Sequence, residues 1–165
     1  MAARIIEWTK AYPILSVEDP AGQDDWTTMA AVTAAIGEHV QIIGDDVLVT
    51  NAARVERAGD AGVCNAALIK VNQVGTVTEA KAALDAATGR GWGAIVSARS
   101  GESEDVTIAH LATGWNAGQL KVGSFTRSER MAKWNEMLRI EEAMGGDAVF
   151  AGFSAFAGSI GAVHA

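Results

Sequence analysis

Polar side chains follow a series of short apolar runs in this sequence, and they are of types that bind metals and anions. The runs recur about every 25 residues, the length of one strand and one helix. The polar residues that follow them are Glu18, Asp45, Lys70, Arg99, Ser100 and Lys121. Carboxylate oxygens are ligands for Mg²⁺, a lysine can accept a proton, and arginine with serine can hold a phosphate.

The clearest of these positions is Lys70. Ala67, Leu68 and Ile69 form an apolar run of strand type immediately before it. Thr76, with a glutamate three residues later, has the pattern of a helix start. The sequence therefore predicts a lysine at the carboxyl end of a buried strand, where parallel α/β proteins gather ligand-binding side chains.

A structural interpretation is open for the same residues. Glu18 and Asp45 would form ion pairs with Lys70 and Lys121, so that the four charges line one rim of the sheet. Arg99 would then belong to a turn that faces water. The residue types alone do not separate these alternatives.

Strands and helices alternate along the chain. The strand-like runs cover 14–17, 40–43, 67–69, 94–96 and 119–120, and the helical stretches cover 2–11, 24–36, 51–61, 76–88, 104–115 and 127–144. This alternation predicts an α/β fold: a partial, half TIM-type barrel of about five parallel βα units with its polar strand ends on one rim. Five strands leave two open edges, which we expect self-association, a partner chain or the apolar tail at 153–165 to cover.

Length, charge and apolar content exclude several classes of protein. The chain has 165 residues and a formal net charge of −7, so it is large enough for a core and lacks the basic balance of a nucleic-acid-binding protein. No apolar run is long enough to span a membrane, and the first residues lack the apolar segment of a signal peptide. We therefore expect a cytoplasmic protein with no membrane and no nucleic-acid partner.

Two further features are predicted to be structural. Cys64, the one cysteine, should fill space in the core. The charges of Arg127, Glu129 and Arg130 at a helix start should form a salt-bridged surface.

Six segments resemble the C-terminal part of enolase, the glycolytic 2-phosphoglycerate dehydratase. They occur in the family's order and cover nearly everything from 12 to 152: S-V-E-D-P, G-D-D-V-L-V-T-N, L-I-K-V-N-Q-V-G-T-V-T-E-A, S-A-R-S-G-E-S-E-D, G-Q-L-K-V-G and S-E-R-M-A-K-W-N-E-M-L-R-I-E-E. The third segment alone is close to an enolase signature. The similarity is thus specific as well as extensive.

The resemblance implies chemistry at the metal and the base. Glu18 and Asp45 are similar to two of the family's three Mg²⁺-binding carboxylates. Lys70 is similar to the base that removes the proton α to the substrate carboxylate, a step that Mg²⁺ assists by stabilising the resulting negative charge.

The resemblance also implies a substrate site. Arg99 and Ser100 are similar to residues that hold the phosphate, and Lys121 to a catalytic lysine that contacts the substrate carboxylate. The implied substrate is a small phosphorylated or phosphonylated carboxylic acid of the 2-phosphoglycerate or phosphoenolpyruvate type.

The chain also departs from the family pattern. Ala98 stands where enolases have a histidine. The resemblance begins near the fourth barrel strand, so the first three strands, the third metal carboxylate and the N-terminal domain with its lid and general acid are not matched. We expect residues 1–152 to form the truncated barrel domain and 153–165 an apolar tail.

Three functions follow as hypotheses. The chain could be one half of a split or self-assembled enolase, completed by a partner chain or by a homo-oligomer. It could be an enolase-like lyase acting on a different phosphorylated or phosphonylated acid. It could also be a non-catalytic remnant that serves as a binding or assembly scaffold.

Overall fold

The chain folds into alternating strands and helices. The computed structural model describes residues 1–156 and residue 160. In chain order, the elements are α1 (Ala2–Ala11), β1 (Ser16–Glu18), α2 (Trp26–Ile36), β2 (Gln41–Gly44), α3 (Ala52–Asp60), β3 (Ala66–Ile69), α4 (Val71–Val74), α5 (Val77–Gly89), β4 (Gly93–Ser97), α6 (Thr107–Gly114), β5 (Gly118–Lys121) and α7 (Ser128–Met144). Two 3₁₀ turns follow, at Gly145–Asp147 and Gly152–Ala155.

The five strands form one parallel sheet in the order β1-β2-β3-β4-β5. Each strand lies beside the next one along the chain, and an α-helix lies in each connection between them. Parallel neighbours need such crossover connections, since a tight turn cannot join them. The predicted α/β fold of five parallel βα units is confirmed.

The sheet is strongly curved, so that its first and last strands approach each other. A flat sheet would hold β1 and β5 about 19 Å apart, four strand spacings, which is more than two side chains can bridge. Nevertheless Lys121 Nζ of β5 lies 2.7 Å from Glu18 Oε1 of β1. The side-chain amides of Gln41 on β2 and Gln119 on β5 also exchange two hydrogen bonds, of 3.0 and 2.9 Å. The sheet is therefore half of a barrel, with these side chains meeting across its concave side.

The two faces of the sheet carry different side chains. A small apolar cluster occupies the inner face and contains Ile43, Ala66, Leu68 and Ile95. The alternate residues of β2, β3 and β4 point outward and pack with helix residues in the larger core. All residues of these three strands are buried, as expected for parallel strands covered on both faces.

Local signals explain where α5 begins. Thr76 caps this helix. Its hydroxyl accepts a hydrogen bond of 3.1 Å from the backbone N–H of Glu79 and donates one of 2.6 Å to the Glu79 carboxylate. The helix start predicted at this position is confirmed. The short α4 was not predicted, because four residues are too few to show a helical period; it ends at Gly75, whose φ of 111° suits glycine.

The edge strand β5 is partly covered by the start of the predicted tail. Gln119 Nε2 donates a hydrogen bond of 3.1 Å to the backbone carbonyl of Ala155. Ile160 is buried, while 157–159 and 161–165, the rest of the tail, lie outside the described residues.

Cys64 is buried in the larger core, as predicted, and burial raises the pKa of its thiol to about 12. Within the described residues, none of the helices has both the length and the apolar character that crossing a membrane requires.

Candidate functional site

Strand geometry brings the predicted site residues to one rim. Glu18 is in register with Ile43, which faces the inside of the half-barrel, and Asp45 follows Ile43 by two residues. Lys70 follows the inward-facing Leu68 by the same step. Because side chains alternate along a strand, all three project from the carboxyl ends of their strands on the concave side.

These side chains line a cavity of about 420 Å³, a size in the range of small-molecule sites. Its lining is Glu18, Asp45, Lys70, Ala98, Arg99, Ser100, Lys121, Val122, Gly123, Ser124, Arg127 and Arg130. All six residues predicted from the sequence are among them. Five of the lining side chains are cationic and two are anionic, in a chain whose formal net charge is −7. This local excess of positive charge favours an anionic ligand.

Two ion pairs involve the cavity lining, one between the neighbouring strands β2 and β3 and one between β1 and β5. Lys70 Nζ lies 2.6 Å from Asp45 Oδ2, and only 12% and 10% of these side chains are exposed. Lys121 Nζ contacts both oxygens of Glu18, at 2.7 and 2.5 Å, in a more exposed position. The pairing that the structural interpretation predicted is therefore present. It leaves the same four groups at the rim, where a ligand could rearrange them.

Asp45 has one oxygen without a partner. Its Oδ1 is buried and accepts no hydrogen bond; among the described side chains, the other buried polar atom without a hydrogen-bond partner is Nε of Arg130, a donor. An unpaired buried carboxylate oxygen is costly. Together with Glu18 on the same rim, this orphaned oxygen fits a site for a hard divalent cation such as Mg²⁺.

Asp19 organises the loop that carries Asp45, and sequence reasoning missed it. Its two carboxylate oxygens accept the backbone N–H groups of Asp45 and Asp46, at 2.9 and 2.8 Å. Carboxylate oxygens of the three aspartates lie within 4.8 Å of one another. Burial raises the pKa of Asp19, although these two backbone hydrogen bonds oppose the change. Because both its oxygens accept hydrogen bonds from the loop, Asp19 supports the loop. Its position directly after Glu18 is the feature of the sequence that could have indicated this role.

Thr50 performs a similar task for Lys70. Its buried hydroxyl accepts the backbone N–H of Lys70 at 2.9 Å and donates to Gln73 Oε1 at the same distance. Val49 and Thr50 have positive φ angles of 47° and 52°, which are strained for β-branched residues. Such strain persists only where the surroundings impose it, here beside the predicted base.

The Arg99–Ser100 segment leaves β4 and enters the cavity lining. The backbone N–H of Arg99 donates to Glu102 Oε1 at 2.8 Å, which closes a tight turn. The guanidinium makes a long contact of 3.4 Å with Asn72 Oδ1. Arg99 is half-buried, lies in a tight turn and lines the cavity.

The sequence prediction of a purely surface helix start at α7 is wrong for Arg130. That side chain is 4% exposed, and Lys133, one turn further on, is fully buried. The alternation of charge along this helix resembles an exposed face, but Arg130 binds the loops that follow β4 and β5, and Lys133 binds the loop that follows β4. A helix with charged residues throughout its length, as α7 has, gives no indication of this.

A parallel half-barrel whose polar side chains converge at the carboxyl ends of its strands is the architecture of a TIM-barrel domain with a ligand site on its usual face. The family model described as "Enolase, C-terminal TIM barrel domain" matches residues 1–158. The chain belongs to the enolase family.

Individual relatives agree with this assignment. The chain is 57% identical over 143 residues to a protein named enolase from Solanum lycopersicum, a match that covers 87% of this chain and 32% of that protein. It is 52% identical over 146 residues to an enolase from Eimeria tenella, covering 88% and 33%. The chain spans about a third of the length of these curated relatives.

Proposed function

We propose that this chain carries out enolase-like, Mg²⁺-dependent abstraction of an α-proton from a small phosphorylated or phosphonylated carboxylic acid. The observation that carries the proposal is the convergence of a base, two carboxylates and an anion-binding segment on one cavity. The names of the relatives support the same chemistry, which is that of a carbon–oxygen lyase when the reaction goes to completion.

Each predicted residue has a role in this proposal. Asp45 and Glu18 would hold Mg²⁺, which supplies positive charge near the substrate carboxylate. Arg99 and Ser100 bind the phosphate or phosphonate through charge-assisted and neutral hydrogen bonds. Lys121 binds the substrate carboxylate from the opposite side of the cavity.

Lys70 is the proposed base. Its neutral amine accepts the α-proton at Nζ, the Cα–H bond breaks, and the electron pair moves into the substrate carboxylate. In the structure Lys70 Nζ contacts Asp45 Oδ2 at 2.6 Å, and this contact opens to free Nζ for the substrate when Asp45 is engaged elsewhere. The orphaned Oδ1 gives Asp45 a position from which it can be so engaged.

We also propose that a second chain covers the sheet edges. Both β1 and β5 lie at the edge of the sheet, and neither is fully buried. A homo-oligomer or a partner chain would pair these strands and enclose the cavity. Sedimentation at micromolar concentration should show a species larger than a monomer, and a clean monomer would contradict self-assembly. The division into a barrel domain at 1–152 and a tail at 153–165 is part of the same proposal.

Proton NMR in D₂O tests the catalytic role. With Mg²⁺ present, the α-proton of 2-phosphoglycerate should exchange for deuterium, and Lys70→Ala should abolish exchange while leaving binding largely intact. Exchange that survives in Lys70→Ala would refute the assignment of the base.

A non-catalytic binding or assembly scaffold is the second candidate. It is favoured by one observation: both cavity carboxylates already have lysine partners within the chain. Absence of exchange, together with calorimetry that shows no binding of 2-phosphoglycerate, would support the scaffold or a different substrate and exclude 2-phosphoglycerate as the substrate of this chain.

A further inference from the structure

Helix α7 places two buried cations one turn apart behind the cavity. Arg130 is 4% exposed and Lys133 is fully buried. Removing a cation from water costs several kcal/mol, which is offset only by well-placed partners. Two buried cations on consecutive turns of one helix therefore indicate that these side chains have a specific role.

Arg130 connects two loops. Its Nη1 donates to the carbonyl of Val122 at 2.9 Å, after β5, and its Nη2 donates to the carbonyl of Ser100 at 2.8 Å, after β4. A guanidinium is planar and holds its donors at fixed angles, so one side chain sets the separation of the two loops. Both acceptor residues line the cavity.

Lys133 fixes the same region through Glu102. Its Nζ lies 2.9 Å from Glu102 Oε2 and also donates to the carbonyl of Ser103. The other oxygen of Glu102 accepts the backbone N–H of Arg99. Burial alone would raise the pKa of Glu102, but the hydrogen bonds from Lys133 and Arg99 and the nearby positive charge hold it below its ordinary value.

We propose that Arg130 and Lys133 are positioning residues for the anion site. They hold Arg99 and Lys121, each adjacent to an anchored loop residue, at the separation that one anionic ligand requires. This inference rests on the proposed function, because it needs the Arg99–Ser100 segment to bind a phosphate. It predicts that α7 affects anion affinity more strongly than Mg²⁺ affinity.

The test compares binding of two probes, inorganic phosphate and Mg²⁺ alone, by calorimetry. Arg130→Lys keeps the charge, but a single ammonium cannot reproduce the planar fork that reaches both loops. Phosphate affinity should fall about tenfold or more, by analogy with the loss seen when groups behind a metal ligand are removed, and Mg²⁺ affinity should change much less. Lys133→Met should act in the same way, and the backbone amide resonance of Arg99 should shift.

Lys81→Met is the matched control, because it breaks an exposed Lys81–Asp85 pair on α5; both affinities should stay at the wild-type values. Thermal melts establish the folded fraction of each variant, so affinities refer to folded protein. If Lys133→Met fails to fold, Arg130→Lys carries the test. Phosphate binding by folded Arg130→Lys that equals wild type, or an equal loss of both affinities, would overturn the positioning role. Failure of the wild type itself to bind phosphate would instead refute the proposed anion site.

Discussion

The buried ion pair between Lys70 and Asp45 should be a major determinant of stability at the rim. Replacing Lys70 by Met removes the hydrogen-bond donor to Asp45 Oδ2, while Oδ1 has no hydrogen-bond partner among the described residues. Breaking a buried pair in this way costs about 3–5 kcal/mol. Since about a tenth of each side chain is exposed, we expect Lys70→Met to lower the free energy of unfolding by about 3 kcal/mol, the lower end of that range.

Urea unfolding followed by circular dichroism, with a chelator present, measures this loss. The double variant Lys70→Met/Asp45→Leu removes both charges and should lie within about 1 kcal/mol of the wild type, since a buried pair can often be replaced by hydrophobic residues of similar volume. Lys81→Met, which breaks an exposed pair, should cost about 0.5 kcal/mol or less. A loss below 1 kcal/mol for Lys70→Met, or a double variant as unstable as the single one, would refute the reasoning.

Three further predictions concern the support of the site. Gln119→Leu should cost about 1–3 kcal/mol in urea unfolding because it leaves the buried Gln41 amide with fewer partners, and Gln41→Leu/Gln119→Leu should recover part of that loss; an additive double variant would contradict the pairing. Thr76→Ala should cost about 1 kcal/mol and Thr76→Ser much less, since both depend on the α5 cap, and equal losses would exclude capping. The pKa of Glu102 is lowered in the folded state, so its ion pair with Lys133 contributes stability above the ordinary pKa of 4.5 and loses it as the pH falls below that value. Unfolding free energy measured from pH 7 to pH 3 should therefore fall more steeply for wild type than for Glu102→Gln, and parallel curves would contradict this coupling.

The positions of the strands and the identity of the rim residues could be predicted from the sequence because both depend on local signals. Short apolar runs at regular intervals determine the strands, and the residue that ends each run must lie at the carboxyl edge of a parallel sheet. Lys70 and Asp45 are recognised in this way, and in the structure Lys70 Nζ lies 2.6 Å from Asp45 Oδ2.

The supporting residues could not be predicted, because their roles arise from contacts between distant segments. Asp19 and Thr50 act on backbone groups more than 19 residues away along the chain, through loops whose strained conformation the sequence does not reveal. Arg130 and Lys133 have the spacing of a solvated helix face, and only the position of α7 behind two loops buries them. Gln41 and Gln119 meet because the sheet curls, which strand patterns alone do not specify.

The proposed function requires that the metal and anion halves of the cavity act on one ligand. Calorimetric titration of phosphoenolpyruvate in the presence and absence of Mg²⁺, and of Mg²⁺ with and without phosphoenolpyruvate, tests this requirement directly. If the two share the cavity as proposed, each should raise the affinity of the other by the same factor, because linkage between binding free energies is reciprocal. Affinities that are independent of one another would show that the carboxylates and the Arg99–Ser100 segment do not form a single site.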